Sequence, residues 1–339
     1  MKAVALTHYL PIEDPNSFLD VYLPKPEAAG RDLLVAVKAV SVNPVDTKIR
    51  APKDGVEDPP KVLGWDASGV VEAVGPDVTL FKVGDEVFYA GDLTRPGSNS
   101  EFQLIDERIV GPKPTSLSFA EAAALPLTTI TAYESFFDHL GIARDGADSG
   151  QSILIIGAGG GVGSIGIQLA KAAGLVIIAT ASRPETDSWV RELGADHVVN
   201  HREPMVEQVR ALGMQHVDHI AIFNDMRHWE TAVELIRPQG AIVSIDATNL
   251  PMPMDQPALG IHVHALDVRD ARHDRAAQSA DLCLRRNRRR AHPHDPQRGD
   301  GPDQRRDHAR RPRAHRDRDG KGQDRSRGVL SGPTSSPSP

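Results

Sequence analysis

The chain has 339 residues and a net charge of −7, and this length is sufficient for two domains with cores of their own. Its single cysteine, Cys283, excludes an internal disulfide bond and a zinc cluster held by several thiolates. The apolar run at the N-terminus is too short for a signal peptide, and no stretch reaches transmembrane length. We therefore expect a cytoplasmic protein that has no membrane partner.

The first 125 residues predict a small antiparallel β domain, in the form of a distorted barrel. Short strand-like segments separated by Gly, Pro and Asp lie at residues 33–42, 69–74, 85–89 and 101–105. We expect loops at residues 51–60 and 91–100. Helical stretches at residues 119–125 and 128–139 then lead into a second domain. A ligand is expected in the cleft between the two domains.

A glycine-rich run, residues 157–163, predicts a dinucleotide site in the second domain. It lies between an apolar stretch, residues 152–157, and an amphipathic one, residues 164–173. A buried strand, a glycine turn and a helix together direct backbone N–H groups and the positive end of a helix dipole at one anion, typically a pyrophosphate. The spacing is G-x-x-G-x-x-G, which differs from the usual G-x-G-x-x-G and is a weak signal without its context.

The chain after the glycine run supplies that context, because strands and helices alternate. Further strands are expected at residues 175–180, 196–199, 217–223 and 240–245. Helices are expected between them, at residues 185–193, 205–212 and 229–236. This alternation is typical of an α/β fold with a doubly wound parallel sheet.

The residues after the second of these strands favour NADPH as the cofactor. NAD-binding domains have an acidic residue there for the ribose 2′-hydroxyl, whereas this chain has Ser182 and Arg183, which suit a 2′-phosphate. The alternative is that Arg183 is a solvated turn residue. The expected cofactor-binding residues of this domain are Gly157, Gly160, Gly161, Val162, Gly163, Ser182, Arg183 and Asn224.

Four segments together resemble the medium-chain dehydrogenase/reductase superfamily. They are the glycine run, KAVSVNPVDTKIR from Lys38, GWDASGVVEAVG from Gly64, and AALPLTTITAYE from Ala123. The similarity extends from Met1 to about His264 and is greatest to the quinone-oxidoreductase branch, which includes zinc-type alcohol dehydrogenase-like proteins. The resemblance implies a GroES-like catalytic domain at residues 1–125, a Rossmann NADPH-binding domain at residues 126–266, and a homodimer.

The resemblance also predicts that this chain holds no catalytic zinc. Zinc-using members place a cysteine ligand where this chain has Asn43 and a histidine ligand where it has Trp65, and neither replacement binds zinc well. Three histidines, His139, His216 and His219, are scattered along the sequence. The pair His262 and His264 could share one strand face, but it has no evident third ligand.

Without a Lewis acid, the favoured substrates are small molecules with delocalised charge, namely quinones and α,β-unsaturated carbonyls. Our hypothesis is hydride transfer from C4 of NADPH, with the developing oxyanion met by fixed donors or solvent. The resemblance places Asn43 and Asp46 in the nicotinamide pocket and Thr131 near the ring, and Tyr133 offers a hydroxyl that could donate a proton. The structural alternatives are that Asn43 starts a turn, Asp46 caps the following helix, and Tyr133 is core packing.

The last part of the chain, residues 267–339, has a different composition. From residue 269 onward there are 19 basic and 10 acidic residues, one lysine, and no Phe, Tyr, Trp, Ile, Met or Glu, which predicts a disordered tail. A basic arm for nucleic acid is one explanation. We favour another, a frameshift near residues 263–268, because the abundant residues have G/C-rich codons. That would remove the outer strands and part of the dimer contact.

The leading hypothesis is thus an NADPH-dependent, zinc-independent reductase of a small quinone or enone. Three alternatives stay open at this point: a zinc-type alcohol dehydrogenase, a non-catalytic protein that binds nucleotide or nucleic acid, and an inactive truncated reductase. The sequence argues against the first through the missing zinc ligands, and a nucleic-acid partner is not expected.

Overall fold

The computed structural model describes residues 1–245 and the backbone of residues 262–265. The predictions of a disordered tail at residues 267–339 and of a frameshift near residues 263–268 lie outside the described residues. In the part of the chain that the structure describes, no helix combines the length and the apolar character needed to cross a membrane.

The N-terminal part contains two antiparallel sheets. The smaller sheet has the order β2-β1-β4 and consists of β1 (Lys2–Tyr9), β2 (Leu19–Tyr22) and β4 (Lys53–Val62). The larger sheet has the order β7-β3-β5-β6-β8 and consists of β3 (Asp32–Ser41), β5 (Asp66–Val74), β6 (Glu86–Ala90), β7 (Phe102–Asp106) and β8 (Val110–Pro112). A bridge between Ala3 and Ser100 joins β1 to the segment before β7. A short helix, α1 (Pro44–Arg50), follows β3, and a 3₁₀ turn (Glu107–Ile109) precedes β8.

The expected loop at residues 51–60 is wrong, because β4 covers most of it. β4 lies at the edge of its sheet and pairs with β1 through a register that shifts twice. Its sequence contains Gly55, Pro59 and Pro60 together with several charges, a composition that hides a strand from pattern-based prediction. Edge strands tolerate proline because one side of the strand needs no hydrogen-bond donors. The strands β1, β2 and β8 were not predicted either.

Helical segments connect the two parts of the chain. A single-turn helix, α2 (Phe119–Ala123), is capped by Ser118, whose hydroxyl accepts a hydrogen bond from the N–H of Glu121. The next helix, α3 (Pro126–Tyr133), continues into a π-helical turn (Glu134–His139). The helix expected at residues 128–139 is therefore present, with an earlier start and a change of winding in its second half.

The second part is a six-stranded parallel sheet of order β11-β10-β9-β12-β13-β14. Its strands are β9 (Ser152–Ile156), β10 (Val176–Thr180), β11 (His197–Val199), β12 (Val217–Ile222), β13 (Ile236–Ser244) and β14 (His262–Ala265). The helices are α4 (Gly161–Ala172), α5 (Pro184–Leu193), α6 (Met205–Ala211) and α7 (Trp229–Leu235), and a 3₁₀ turn (Met226–His228) precedes α7. This confirms the predicted Rossmann-like, doubly wound sheet.

The central position of β9 in the sheet explains why its sequence is continuously apolar. Ile153 and Ile155 pack into one core cluster with residues of α4, whereas Leu154 and Ile156 pack into another cluster with residues of α6 and α7. Both faces of the strand are therefore buried under helices, so no position along it can be polar at low cost. The strand is held rigidly, and the turn that follows it starts from a fixed point.

Candidate functional site

A cavity of about 410 Å³ lies at the carboxyl ends of the parallel strands; we call it the basic cavity. β9 and β12 are neighbours at the centre of the sheet, and the chain leaves them in opposite directions, which is the topological position where such sheets bind ligands. The residues that line the cavity are Gly157, Gly159, Gly160, Thr180, Ser182, Arg183, Thr186, His201, Arg202 and Asn224.

The glycine run forms a turn over residues 157–160, and α4 then begins at Gly161. The expected start at residue 164 is wrong, because Gly161, Val162 and Gly163 already form the first turn of the helix. Their N–H groups have no acceptor within the helix and are available to an anion, as at other helix N-termini. Val162 thus offers its backbone, while its half-buried side chain packs against the core.

Close packing at two glycines holds this turn against the sheet. Gly157 has a φ of +83°, and its N–H donates to Thr180 Oγ1 at 3.0 Å, which links the turn to the end of β10. A Cβ atom on Gly163 would lie 2.5 Å from Gly157 O and 2.6 Å from two backbone atoms of Ala158. The turn and helix therefore have the shape of a phosphate cradle, and the close approach of the backbone leaves no room for a side chain at Gly163.

The charged side chains that line the basic cavity are the guanidinium groups of Arg183 and Arg202. His201 adds an imidazole, and no carboxylate of the described residues lines the cavity. Over residues 1–245, neither guanidinium pairs with an acidic side chain, and Arg183 makes only a long contact of 3.4 Å with Thr186 Oγ1. A cavity of this composition suits a phosphorylated ligand, since guanidinium groups match phosphate oxygens in charge and geometry.

The structure brings five predicted cofactor residues into this cavity: Gly157, Gly160, Ser182, Arg183 and Asn224. Sequence reasoning missed Thr180, Thr186, His201 and Arg202. A signal for the last two was available, since they follow the third strand of the parallel sheet and therefore reach the same edge as Ser182 and Asn224. Thr131 lies on α3, outside the cavity lining, and its hydroxyl donates to Leu127 O at 2.8 Å.

A second cavity, of about 870 Å³, lies in the N-terminal part; we call it the apolar cavity. Four of its lining residues, Val4, Ile12, Val40 and Val42, are large apolar side chains left substantially exposed. The complete lining is Val4, Ile12, Phe18, Val37, Lys38, Ala39, Val40, Val42, Asp46, Thr47, Arg50, Leu63, Ser98, Asn99 and Ser100. An apolar wall with a few polar groups is typical of small-molecule sites.

Asn43, Asp46 and Asp66 form a polar cluster beside the apolar cavity, in which Asn43 and Asp66 are buried and Asp46 is half-buried. Asp46 lines that cavity and accepts a hydrogen bond from the N–H of Asn43 at 2.7 Å, so it also caps α1. The side-chain amide of Asn43 donates to Asp66 Oδ2 at 2.8 Å. Asn43 thus lies at the start of α1 and close to Asp46, as both interpretations of this residue expected. Asn43 itself does not line the apolar cavity.

Burial dominates the electrostatics of this cluster. Asp66 is fully buried, which raises its pKa to about 7 even though the N–H groups of Asn43 and Leu127 stabilise its charged form; nearby Asp46 raises the pKa further. Burial likewise raises the pKa of Asp46 against the hydrogen bond from Asn43. At neutral pH this region therefore holds two carboxyl groups that are easier to protonate than exposed ones.

Asp66 also connects the N-terminal part to the helix that borders the cofactor cradle. Its Oδ1 accepts from the N–H of Leu127 at 2.9 Å, in the first turn of α3. The next residue, Thr128, has its methyl group 3.1 Å from the place of a Cβ on Gly161, at the start of α4. Hydrogen bonds thus connect Asn43 through Asp66 to the first turn of α3, which lies beside the start of α4.

Tyr133 lies in the core of the second part and away from this cluster. Its ring packs edge-on against Phe137, with centroids 4.8 Å apart, and under the guanidinium of Arg144 at 4.8 Å. Only 2 % of the residue is exposed. This position favours the packing role over that of a proton donor.

Family models match both parts of the chain. The alcohol dehydrogenase GroES-like domain matches residues 29–131, and the zinc-binding dehydrogenase domain matches residues 161–270. A zinc-type alcohol dehydrogenase-like protein from Staphylococcus aureus is 47 % identical over 251 residues, which are 74 % of each chain. The chain belongs to the medium-chain dehydrogenase/reductase superfamily. Members of this superfamily are oxidoreductases that bind a nicotinamide cofactor.

Other superfamily members extend the comparison. A 2-methylene-furan-3-one reductase from Solanum lycopersicum is 34 % identical over 74 % of this chain and 63 % of its own. A Rhizobium etli protein of known crystal structure, described as a candidate zinc-dependent alcohol dehydrogenase, is 45 % identical with a TM-score of 0.78 over 84 % of this chain and 86 % of its own. A Pseudomonas syringae quinone oxidoreductase is 27 % identical with a TM-score of 0.69 over 85 % and 88 %.

At the two positions where the resemblance implies zinc ligands, this chain has residues that do not suit zinc. Asn43 uses its amide to bind Asp66, and Trp65 is buried with its indole N–H donated to Asp92 O at 3.3 Å. Within residues 1–245 no group of three or more His, Cys, Asp or Glu side chains is arranged to hold a metal ion. An amide engaged as a donor and an indole cannot supply the nitrogen and sulfur ligands that zinc takes.

Proposed function

We propose that this chain is an NADPH-dependent reductase of quinones or α,β-unsaturated carbonyls that works without catalytic zinc. The observation that carries the proposal is the charge of the basic cavity, where two guanidinium groups and an imidazole meet and no carboxylate does. An NAD site would need an acidic acceptor at the end of the second strand. Here β10 ends at Thr180, and Ser182 and Arg183 follow.

The cofactor is assigned to the basic cavity group by group. The first N–H groups of α4, at Gly161, Val162 and Gly163, take the pyrophosphate. Ser182, Arg183 and Arg202 take the 2′-phosphate, and Asn224 contacts the cofactor from the end of β12. We keep Thr131 near the nicotinamide ring, as the family resemblance implies.

The apolar cavity is the proposed substrate site. When bound, the dihydronicotinamide supplies the hydride, so the chain's own task is to hold the substrate and stabilise negative charge on its oxygen. Asp46 faces this cavity with a carboxyl group whose pKa is raised by burial, and it can orient a water molecule toward that oxygen. The backbone N–H of Asn43 donates a hydrogen bond to Asp46, so Asn43 helps to hold that carboxyl group in position.

The substrate class is supported by chemistry and by the names of two relatives. Neither Asn43 nor Trp65 offers zinc a suitable ligand, so an isolated carbonyl would lack a strong electrophilic activator. Quinones and enones need less help because their conjugation spreads the charge. The tomato relative is named for reducing an enone, 2-methylene-furan-3-one, and the Pseudomonas syringae protein is named for reducing quinones.

Cofactor titration tests the first half of the proposal. We expect NADPH to bind more tightly than NADH, and Arg183→Ala to weaken NADPH binding about 10- to 100-fold while NADH binding stays the same, since a charge-assisted hydrogen bond contributes about 1.5–3 kcal/mol. Arg191→Ala is the matched control, because Arg191 lies on the same helix but is paired with Asp187 at 2.7 Å. Equal losses for both cofactors in the Arg183 variant would refute the 2′-phosphate assignment.

A substrate panel tests the second half. NADPH oxidation should be fast with quinones and enones and slow with simple aldehydes and ketones, in protein that contains no stoichiometric zinc by elemental analysis. Asp46→Ala should lower kcat at unchanged NADPH affinity, because it removes the carboxyl group that orients the water. Full activity of Asp46→Ala, or zinc in the purified protein at one ion per chain, would overturn the assignment.

A further inference from the structure

His201 lies in the wall of the basic cavity, at a place that the proposed cofactor contacts do not yet use. It follows β11 by two residues and lines the cavity together with Arg183 and Arg202. Its Nδ1 atom is buried and has no hydrogen-bond partner among the described residues. Buried polar atoms without a partner are rare, and this one belongs to a side chain on the wall of a cation-lined cavity.

The groups that face His201 are predominantly cationic. Arg202 comes from its own segment, and Arg183 comes from the start of α5. The turn before α7 brings His228, whose ring centroid lies 6.1 Å away, together with Arg227 and Asp225. The only carboxylate in this set, Asp225, is bound to Arg227 at 2.7 Å and so offers little charge to the imidazole.

This environment keeps the free imidazole neutral. Burial is the largest influence and lowers the pKa of His201, and His228, Arg202 and Arg227 lower it further, while Asp225 opposes them. A phosphate monoester in the cavity would reverse that balance, because a dianion beside the ring stabilises the imidazolium.

We propose that His201 recognises the 2′-phosphate of the cofactor as an imidazolium, so that His201 takes up one proton from solvent when a ligand that carries a 2′-phosphate binds. The proposal rests on the proposed function, since it uses the same cavity and the same phosphate. It adds a residue that determines cofactor choice, and it makes that choice depend on pH. The neutral ligand-free ring and the charged bound ring differ by one proton, which the ligand's phosphate attracts.

The ligands 2′,5′-ADP and 5′-AMP test this proposal without requiring turnover. They differ only by the 2′-phosphate, and calorimetry at pH 7.5 in two buffers of different ionisation enthalpy counts the protons taken up. We expect uptake approaching one proton per 2′,5′-ADP in the unaltered protein and little uptake with 5′-AMP. His201→Asn should abolish the uptake and weaken 2′,5′-ADP about tenfold at pH 6.5, with a smaller loss at pH 8.5. His197→Asn on β11, outside the cavity lining, is the matched control and should retain both properties.

The possible results separate the two proposals. If 2′,5′-ADP binds more tightly than 5′-AMP but His201→Asn leaves uptake and affinity unchanged, the role of His201 is wrong and the NADPH preference stands. If 2′,5′-ADP binds no more tightly than 5′-AMP, the NADPH preference itself is wrong. His201→Gln repeats the test in a second neutral variant, and circular dichroism shows that each variant is folded.

Discussion

The basic cavity and the apolar cavity differ in how they meet a ligand. The basic cavity is formed by backbone N–H groups and by Arg183, Arg202 and His201 at the ends of neighbouring parallel strands. The apolar cavity is formed mainly by aliphatic side chains, and the ionisable group of the polar cluster that reaches it is Asp46. One cavity is equipped for fixed negative charge, and the other for a largely uncharged molecule on which charge develops only during reaction.

The binding energy for a phosphate and the binding energy for an apolar substrate have different sources in these two cavities. Phosphate recognition relies on groups that are already charged or oriented before the ligand arrives, so it depends on the exact path of the backbone. Recognition of an apolar substrate relies on the area removed from water and tolerates variation in the surrounding side chains. Substitutions that alter the backbone path should therefore damage the basic cavity severely, and single substitutions in the apolar cavity should have small effects.

Gly163→Val should have the largest effect. A Cβ at this position would lie 2.5 Å from Gly157 O and within 2.6 Å of the Ala158 backbone, and neither group can move without displacing β9. We expect the free energy of unfolding to fall by about 3 kcal/mol and nucleotide binding to be lost. Urea denaturation and NADPH titration measure both. Gly160→Ala is the control, because its Cβ would meet nothing closer than 3.4 Å, and its stability should remain near that of the unaltered protein.

The pH dependence of stability should reveal the raised pKa of Asp66, the buried carboxyl group that contacts Asn43 and Leu127. Its pKa is about 7 in the folded chain and near 3.8 when unfolded, so its stabilising contribution is complete below pH 3.8 and is lost as pH rises through 7. From pH 6 to pH 7 the unaltered protein should lose up to about 1.4 kcal/mol of unfolding free energy relative to Asp66→Asn.

Asp106 provides a control of opposite sign for that experiment. Arg108 holds its pKa at about 2, so its contribution is present above pH 3.8 and is lost only as pH falls toward 2. Asp106→Asn should thus shift the stability curve by a constant amount between pH 6 and pH 8. If Asp66→Asn also gave only a constant shift, the raised pKa of Asp66 would be wrong.

The sequence could predict the basic cavity better than the cluster around Asp66, for a physical reason. The glycine run, Ser182, Arg183 and Asn224 each follow an apolar strand, and parallel strands bring their carboxyl ends together by geometry alone. The same geometry applies to His201, because it follows β11, which the sequence predicts as a strand. Asp66 acquires its role from Asn43 and Leu127, which lie 23 and 61 residues away, and no local pattern encodes such contacts.

Val42→Ser should have the smallest effect and tests the apolar cavity directly. Val42 is 75 % exposed, so the substitution should change the unfolding free energy by less than about 0.5 kcal/mol. A bound quinone would cover this side chain, and loss of its apolar contact should raise KM and the directly measured Kd about three- to fivefold.

Val83→Ser is the matched control, since Val83 is 59 % exposed and lies outside the lining of both cavities. Because stability should be unchanged in both variants, a weaker affinity in Val42→Ser alone would locate the substrate in the apolar cavity. Equal affinity in the two variants would place the substrate elsewhere, and the contrast between the two cavities would then lose its functional meaning.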